Sequence, residues 1–455
     1  MQITDLRTEY QKNPLGLDAV RPRFSWKIES DQSGTMQTAY QIQVMSEGKM
    51  VWDCGRRESD QSVLVEYAGP ALQAEQIYEY HVMIWDNHAG TAEAVGSFET
   101  GLLSGTNFQA GWITHPFANE ETACPVFVRT ISLKKAVKRA RIYATALGVY
   151  EIQLDREKVG DAFFAPGWTN YKKRLQYQTY DVTELLNRNR GSDHTLEIMV
   201  GNGWYKGIFG FTCTPDHYGD RTALLAELHI LYEDGSKEVV ATDQDWEVKT
   251  GSVRYSEIYM GETIDSTFMD NALSAAIPFS YPMENITAQE CELVRITKRT
   301  PAKELILTPK GEKVLDFGQN MAGFVEVTVE GKIGQKIIVR HAETLDKDGN
   351  FYPETLRQAK STDTYICDGT RQTFLPHFTF HGFRYICVEG LDEVNPADFT
   401  ACTLHTDMRQ TGSFTCSNAM VNQLQSNIQW GQRSNFLDIP TDCPQRDERL
   451  GWMGD

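Results

Sequence analysis

Positive charge is what this sequence most lacks. Its 455 residues hold 44 Lys plus Arg against 62 Asp plus Glu, a formal net charge of −18. Such a chain repels phosphate backbones and anionic lipid surfaces, which argues against nucleic acid or a membrane as partner and for a neutral or small-molecule one. Long apolar runs are missing as well, and nothing approaches the roughly twenty residues of a membrane span. The start, Met1-Gln2-Ile3-Thr4-Asp5, has no basic n-region and no apolar h-region. The nine cysteines include no CxxC pair, so neither a zinc ribbon nor a redox motif is supported. Reduced thiols and a cytoplasmic location are the expectation.

What is present is the balance of a globular protein, 41% hydrophobic and 23% charged. The chain is too long for one core, so several domains are expected. Abundant Gly, Tyr and Phe lean towards strands and turns. Residues 1–103 read as a β-sandwich resembling a fibronectin type III module. There Tyr40, Ile42 and Val44 alternate with polar neighbours, as do Tyr78, Tyr80, Val82 and Ile84, and Trp26 suits the core. A unit over 109–298, with strands at Ala140–Ala146 and Leu196–Val200, predicts a jelly-roll-like sandwich. Strands at Phe324–Val329, Lys336–Arg340 and Phe383–Val388 predict a third β-unit over 299–407. From about 410 the pattern changes. Ser417 is placed to cap a helix whose Met420, Val421, Leu424 and Ile428 recur at helical spacing. That stripe needs neighbours the sequence does not supply, so the chain reads as cut short at Asp455, and a homodimer is one expected way to cover the stripe.

The densest chemistry is at the end. Asp438, Asp442, Asp447, Glu448 and Asp455 share eighteen residues with Arg446, Arg449 and Trp452, broken by Pro440 and Pro444 into a loop. Sugar sites need this mixture: carboxylates and guanidinium groups fix hydroxyls, an indole covers the C–H face, and one carboxyl group donates a proton. On composition alone, a solvated loop with local Asp–Arg pairs is the commoner fate of such a run.

Other signals are weaker. His377 and His381 have the spacing of a helical metal pair, but their surroundings read as strand, which argues against zinc. Asp346, Asp348 and Asn350 open like an EF-hand loop, but Phe351 and Arg357 stand where its glycine and closing glutamate belong, so a turn is predicted. Gly201-Asn202-Gly203 lacks the dinucleotide fingerprint and reads as a turn. Trp168, Tyr171, Trp204 and Tyr205 could face a sugar, but packing is the commoner role of such aromatics.

Asp442-Cys443-Pro444-Gln445-Arg446-Asp447-Glu448-Arg449-Leu450-Gly451-Trp452 resembles the signature of the α-L-rhamnosidases of glycoside hydrolase family 78. Four further segments resemble that family in the expected order: Ala165-Pro166-Gly167-Trp168-Thr169, Gly201-Asn202-Gly203-Trp204-Tyr205, Asp316-Phe317-Gly318-Gln319-Asn320 and Phe380-His381-Gly382-Phe383-Arg384-Tyr385. The resemblance implies a mainly β chain of successive β-sandwich domains, with 299–407 a sandwich of the rhamnosidase type. Residues 410–455 would then start a six-hairpin α/α catalytic barrel.

It further implies inverting hydrolysis of terminal α-L-rhamnosides, with no cofactor or metal and a rhamnose-containing glycoside or oligosaccharide as partner. Glu448 would be the general acid. Asp442, Arg446, Trp452 and Asp455 would bind the sugar, and Asp447 and Arg449 would pair within the loop. The general base would lie beyond Asp455, leaving this chain inactive alone. Two other readings stand beside this one. A carbohydrate-binding β-domain array without catalytic activity is the nearer. A structural or adhesion protein has no use for the terminal motif.

Overall fold

A computed structural model of the chain describes residues 1–118, 121–188, 193–269 and 272–451. These residues are mainly β, and the chain separates into two compact units.

The first unit takes in Met1–Gln109 together with Arg174–Tyr180 and Pro282–Glu290. Gln2–Thr8, Arg23–Glu29 and Val65–Glu66 form one antiparallel sheet. Lys49–Asp53, Gln37–Ser46, Ile77–Asp86 and Thr91–Glu99 form the other. The period-two residues do what the alternation predicts. Ile42, Val44, Tyr80, Val82 and Ile84 are fully buried, joined by Phe24 and Trp26 from the facing sheet. The Trp26 indole N–H donates to the Gln37 side chain at 2.9 Å, so the core pays no penalty for that polar atom. The two added segments pair in parallel, Leu175–Tyr177 against Ile286–Ala288, and Asp18 accepts from the Tyr177 hydroxyl at 2.7 Å and the Ala288 N–H at 2.8 Å.

The second unit is larger and carries three sets of strands. One sheet runs Glu157–Lys158, Val149–Leu154, Asp193–Gly201, Pro125–Ser132, Glu247–Thr250 and Ser274–Ala275. Val137–Leu147 pairs with Ala223–Tyr232 over ten residue pairs in another. A ten-stranded sheet is built around the long strand Lys313–Glu330, which pairs with His381–Glu389 and with Phe399–Thr406. Val253–Glu257 and Gly261–Asp265 belong to this sheet rather than to the strands around them in sequence. The sequence-placed strands at Phe324, Lys336 and Phe383 all lie in it.

After residue 406 the chain forms the helix Ala419–Ser434. Its cap is Asn418, one residue later than expected: the Asn418 side chain accepts from the N–H groups of Met420 and Val421, and Asn is as good a cap as Ser. Met420, Leu424 and Ile428 are exposed, Met420 at 82%. A short hairpin, Phe436–Leu437 with Ile439–Pro440, then leads into the loop 441–451. In urea unfolding, Phe24→Ala should cost about 3–5 kcal/mol because it empties a closed core, whereas Met420→Ala should stay within about 0.5 kcal/mol.

Candidate functional site

The loop 441–451 would be a strand of charges in water unless something held it. The holder is Arg449, 1% exposed. Its guanidinium donates to the carbonyls of Ile258 at 3.0 Å and Phe380 at 2.8 Å, and to those of Arg446 at 3.1 Å and Gln445 at 3.4 Å within the loop. The rings of Tyr259 and Phe380 lie 4.7 and 4.6 Å from it. Carbonyl dipoles and ring faces replace the water lost on burial. Burial still draws Arg449 down to about 10, which leaves it charged at neutral pH. The expectation that Arg449 makes an ion pair within the loop is thus corrected: it is an anchor, and two of its acceptors lie on the β-body.

Two further contacts set the loop's height. Tyr259 donates its hydroxyl to the Glu448 carbonyl at 2.6 Å. Gly382 meets Gln445 so closely that a Cβ there would stand 2.8 Å from the Gln445 Cβ. Upstream, the Trp168 N–H donates to the Asp438 carboxylate, and a Cβ on Gly167, at φ +94, would stand 2.7 Å from the same carboxylate. Gly167 is needed there both for its left-handed backbone and for the close approach. Trp204, 2% exposed, stacks on Trp168 at 5.7 Å, and Tyr171 and Tyr205 are buried, so these aromatics pack rather than line a surface.

On this base three predicted residues come together. Arg446 donates to Asp442 at 2.7 Å and to Cys443 Sγ at 2.8 Å, and its Nη2 lies 3.0 Å from Glu448 Oε2. Asp442, Cys443 and Glu448 bring ligand-type atoms within 4.8 Å of one another, as a metal would require. The Arg446 guanidinium already contacts all three, so the cationic role in this cluster is taken. Glu448 is 3% exposed and Asp447 2%. Asp447 accepts from the Gln358 N–H at 3.2 Å, so its contacts too reach outside the loop. Trp452 and Asp455 lie outside the described residues.

One contributor escaped the sequence reading. Arg357, at φ 56 after the short turn Glu354–Leu356, lies 3.4 Å from Glu448 and 3.8 Å from Asp447 through the same nitrogen. It comes 91 residues before Glu448, and no local motif marks it. The candidate calcium turn holding Asp346 is an ordinary one: Asp346 accepts from the Asp348 and Asn350 N–H groups. Asp316 receives a two-pronged pair from Arg384, at 2.8 and 2.6 Å, which ties two of the motif segments together.

Behind Phe380 lies a buried network. His381 Nε2 is 3.2 Å from both Asp363 oxygens, and His341 stacks on His381 at 4.1 Å while its Nδ1 faces the Ser361 carbonyl at 3.0 Å. His377, the other half of the sequence-level pair, faces Glu151 instead. His341, Asp363 and His381 also offer ligand atoms within 4.8 Å, but stacked imidazoles do not aim their in-plane lone pairs at one point. Burial is the chief cause of three shifts: it pulls His341 down to about 3, pulls His381 well below its ordinary value, and pushes Asp363 up to about 6.

Four family models match in succession. They are an immunoglobulin domain of the Rha78A-like N-terminal type over 3–104, the alpha-L-rhamnosidase N-terminal domain over 135–298, the bacterial alpha-L-rhamnosidase concanavalin-like domain over 306–405 and the six-hairpin glycosidase domain over 409–455. An α-L-rhamnosidase of Formosa agariphila is 36% identical over 98% of this chain and 51% of its own length. The crystal structure of the Streptomyces avermitilis α-L-rhamnosidase, complexed with L-rhamnose, is similar at a TM-score of 0.91 and 31% identity, over 100% of this chain and 62% of that one. That of the Aspergillus terreus enzyme is similar at 0.93 and 34%, over 100% and 55%. The chain therefore spans about half to three-fifths of the length of these relatives.

Two measurements check the site. Arg449→Leu should cost at least about 1.5–3 kcal/mol, the worth of one hydrogen bond to a charged group, and should raise proteolysis at 441–451 above that elsewhere. Acid should also weaken the fold. The two histidines titrate lower when folded than their ordinary 6.5, so their contribution is full above pH 6.5 and is lost as pH falls below it, for His341 towards about 3. Asp363 is shifted up and acts oppositely, gaining stability as pH falls through 6 towards 3.8, but it is one group against two. The urea midpoint should therefore drop over that window, and His341→Gln should flatten the drop.

Proposed function

Because this chain belongs to the bacterial α-L-rhamnosidase family, we propose that it provides the general acid and part of the sugar-binding site for inverting hydrolysis of terminal α-L-rhamnosides. The observation that carries this reading is the linked set Asp442–Arg446–Glu448 on a loop whose anchor is buried. Tyr259 holds the Glu448 main chain, and Arg446 and Arg357 orient its carboxyl group, so the group proposed to deliver a proton has a fixed position. Asp442 and Arg446 offer an acceptor and a planar donor fork for sugar hydroxyls. Trp452 is proposed to cover the C–H face of the ring, and Asp455 to add a further acceptor. The related Streptomyces enzyme holding L-rhamnose supports a rhamnose-containing substrate.

Inversion needs a second carboxylate about 6.5–9.5 Å from the acid, on the opposite face of the sugar. Asp442 lies beside Glu448, joined to it through the same Arg446 nitrogen, and Asp447 is its neighbour in sequence. Neither has the standing of a carboxylate across a substrate. We infer that the base is supplied by residues this sequence does not contain, as the greater length of the relatives supports. The exposed Met420, Leu424 and Ile428 are proposed to be covered by further helices or, in this chain alone, by a second copy. Nine free thiols support a cytoplasmic location.

The test has two arms. In a protein extended with the remaining barrel of a relative, Glu448→Gln should nearly abolish turnover of an unactivated rhamnoside and spare sugar binding, with a smaller loss on substrates bearing very good leaving groups. The 455-residue chain alone should show at most trace release from an aryl α-L-rhamnoside. Robust turnover by this chain that vanishes in Glu448→Gln would place a base within it and overturn that part of the proposal.

A further inference from the structure

Away from the loop, the six-stranded sheet of the second unit has one face that is largely apolar. Phe127, Ile152, Ile198 and Val248 are buried there at 0–1% exposure. A sheet with one packed face ordinarily gives its other face to solvent and to scattered polar residues. Here the other face is organised. The registers pair Glu151 with Met199, Met199 with Val126, and Val126 with Lys249, so these four side chains form one row across four adjacent strands. In the next row Gln153 stands opposite Glu197. Gly251, Ser252, Val253 and His377 also line this space, a half-open cavity of about 200 Å³. That is many times the roughly 10–15 Å³ needed for one water, and it leaves room for one sugar ring.

The chemistry along the row is graded. At one end Glu151, 6% exposed, is held by Lys158 at 2.7 Å and His377 at 2.9 Å. At the other, Lys249 meets Glu197 at 2.6 Å. Met199 and Val126 make an apolar floor between them. Glu151 and Glu197 each already have a lysine partner, so neither carboxylate is left to attract a cation. It presents oriented acceptors and donors at both ends of an apolar strip. That pattern matches a neutral pyranose, whose hydroxyls project around the rim of a ring with apolar C–H faces. We propose that this cavity is an accessory binding site for a neutral monosaccharide unit, separate from the Asp442–Glu448 cluster and independent of the role given to Glu448.

The test uses the 455-residue chain with its methionines labelled at the methyl carbon, the Met199 signal being identified from a Met199→Leu sample. L-Rhamnose, D-glucose and D-galactose are titrated as neutral probes, and D-glucuronate as the charged one. The expected result is a saturable shift of the Met199 signal with at least one neutral sugar. It should persist in Asp442→Ala, which disables sugar binding at the loop, and should weaken about tenfold or more in Lys249→Met, the loss of a hydrogen bond to a charged group. Glu197→Gln serves as the second variant should Lys249→Met disturb the fold, which the other methionine signals would reveal. A Met199 signal unmoved by every neutral sugar overturns the proposal. So does a shift that neither variant weakens, or one in which glucuronate binds more tightly than all three neutral sugars.

Discussion

A single buried guanidinium organises the chemistry of this chain. Arg449 gives up nearly all its water, and what replaces that water is mostly main chain: carbonyls at 258, 380, 445 and 446. Backbone acceptors have fixed directions, so solvating the charge with them also fixes where the loop can lie. A carboxylate partner would have satisfied the same charge through a flexible side chain, with less control of position. The Asp442–Arg446–Glu448 set inherits its geometry from that anchor. Its own ion pairs are partly exposed at Arg446, and pairs of that kind add little stability by themselves.

The β-body answers the anchor at several points. Gly382 lets the loop backbone come down onto the sheet, and Gly167 and Trp168 receive Asp438 across 270 residues of sequence. Trp204 stiffens Trp168 from below. Asn202 holds Glu257 at 2.8 Å, next to the Ile258-Tyr259 pair that contacts the loop. Asp316 and Arg384 brace the strand that carries Gly382. The motif segments that look unrelated along the chain thus share one task, which is to make a platform.

Much of this was legible in sequence. Period-two alternation located the strands around Ile42, Val82, Phe324 and Ile338, because burying one face of a sheet leaves that mark on consecutive residues. The helix after 417 was visible for the corresponding reason, and its cap shifted by one residue because Ser417 and Asn418 are both good caps. Side-chain roles were harder to read. Arg449 looked like a member of a charge run, since burial is not written in composition. Arg357 carried no signal because its partner lies far along the chain. The histidine pair was misleading as a pair: His381 belongs with His341 and Asp363, which only the strand order of the ten-stranded sheet brings to it.

The contact between Gly382 and Gln445 bears on how such a protein can be recombined. The loop that carries Glu448 is contiguous in sequence with the helix at 419–434, yet its seat is written into residues 258, 259, 380 and 382. A crossover between two homologues anywhere from 383 to 440 would join a loop from one parent to a seat from the other. A side chain at 382 where the loop expects none would then lift Glu448 off the sheet. Heredity in this chain therefore runs across the apparent domain border, and the β-body and the loop 441–451 are one unit of exchange.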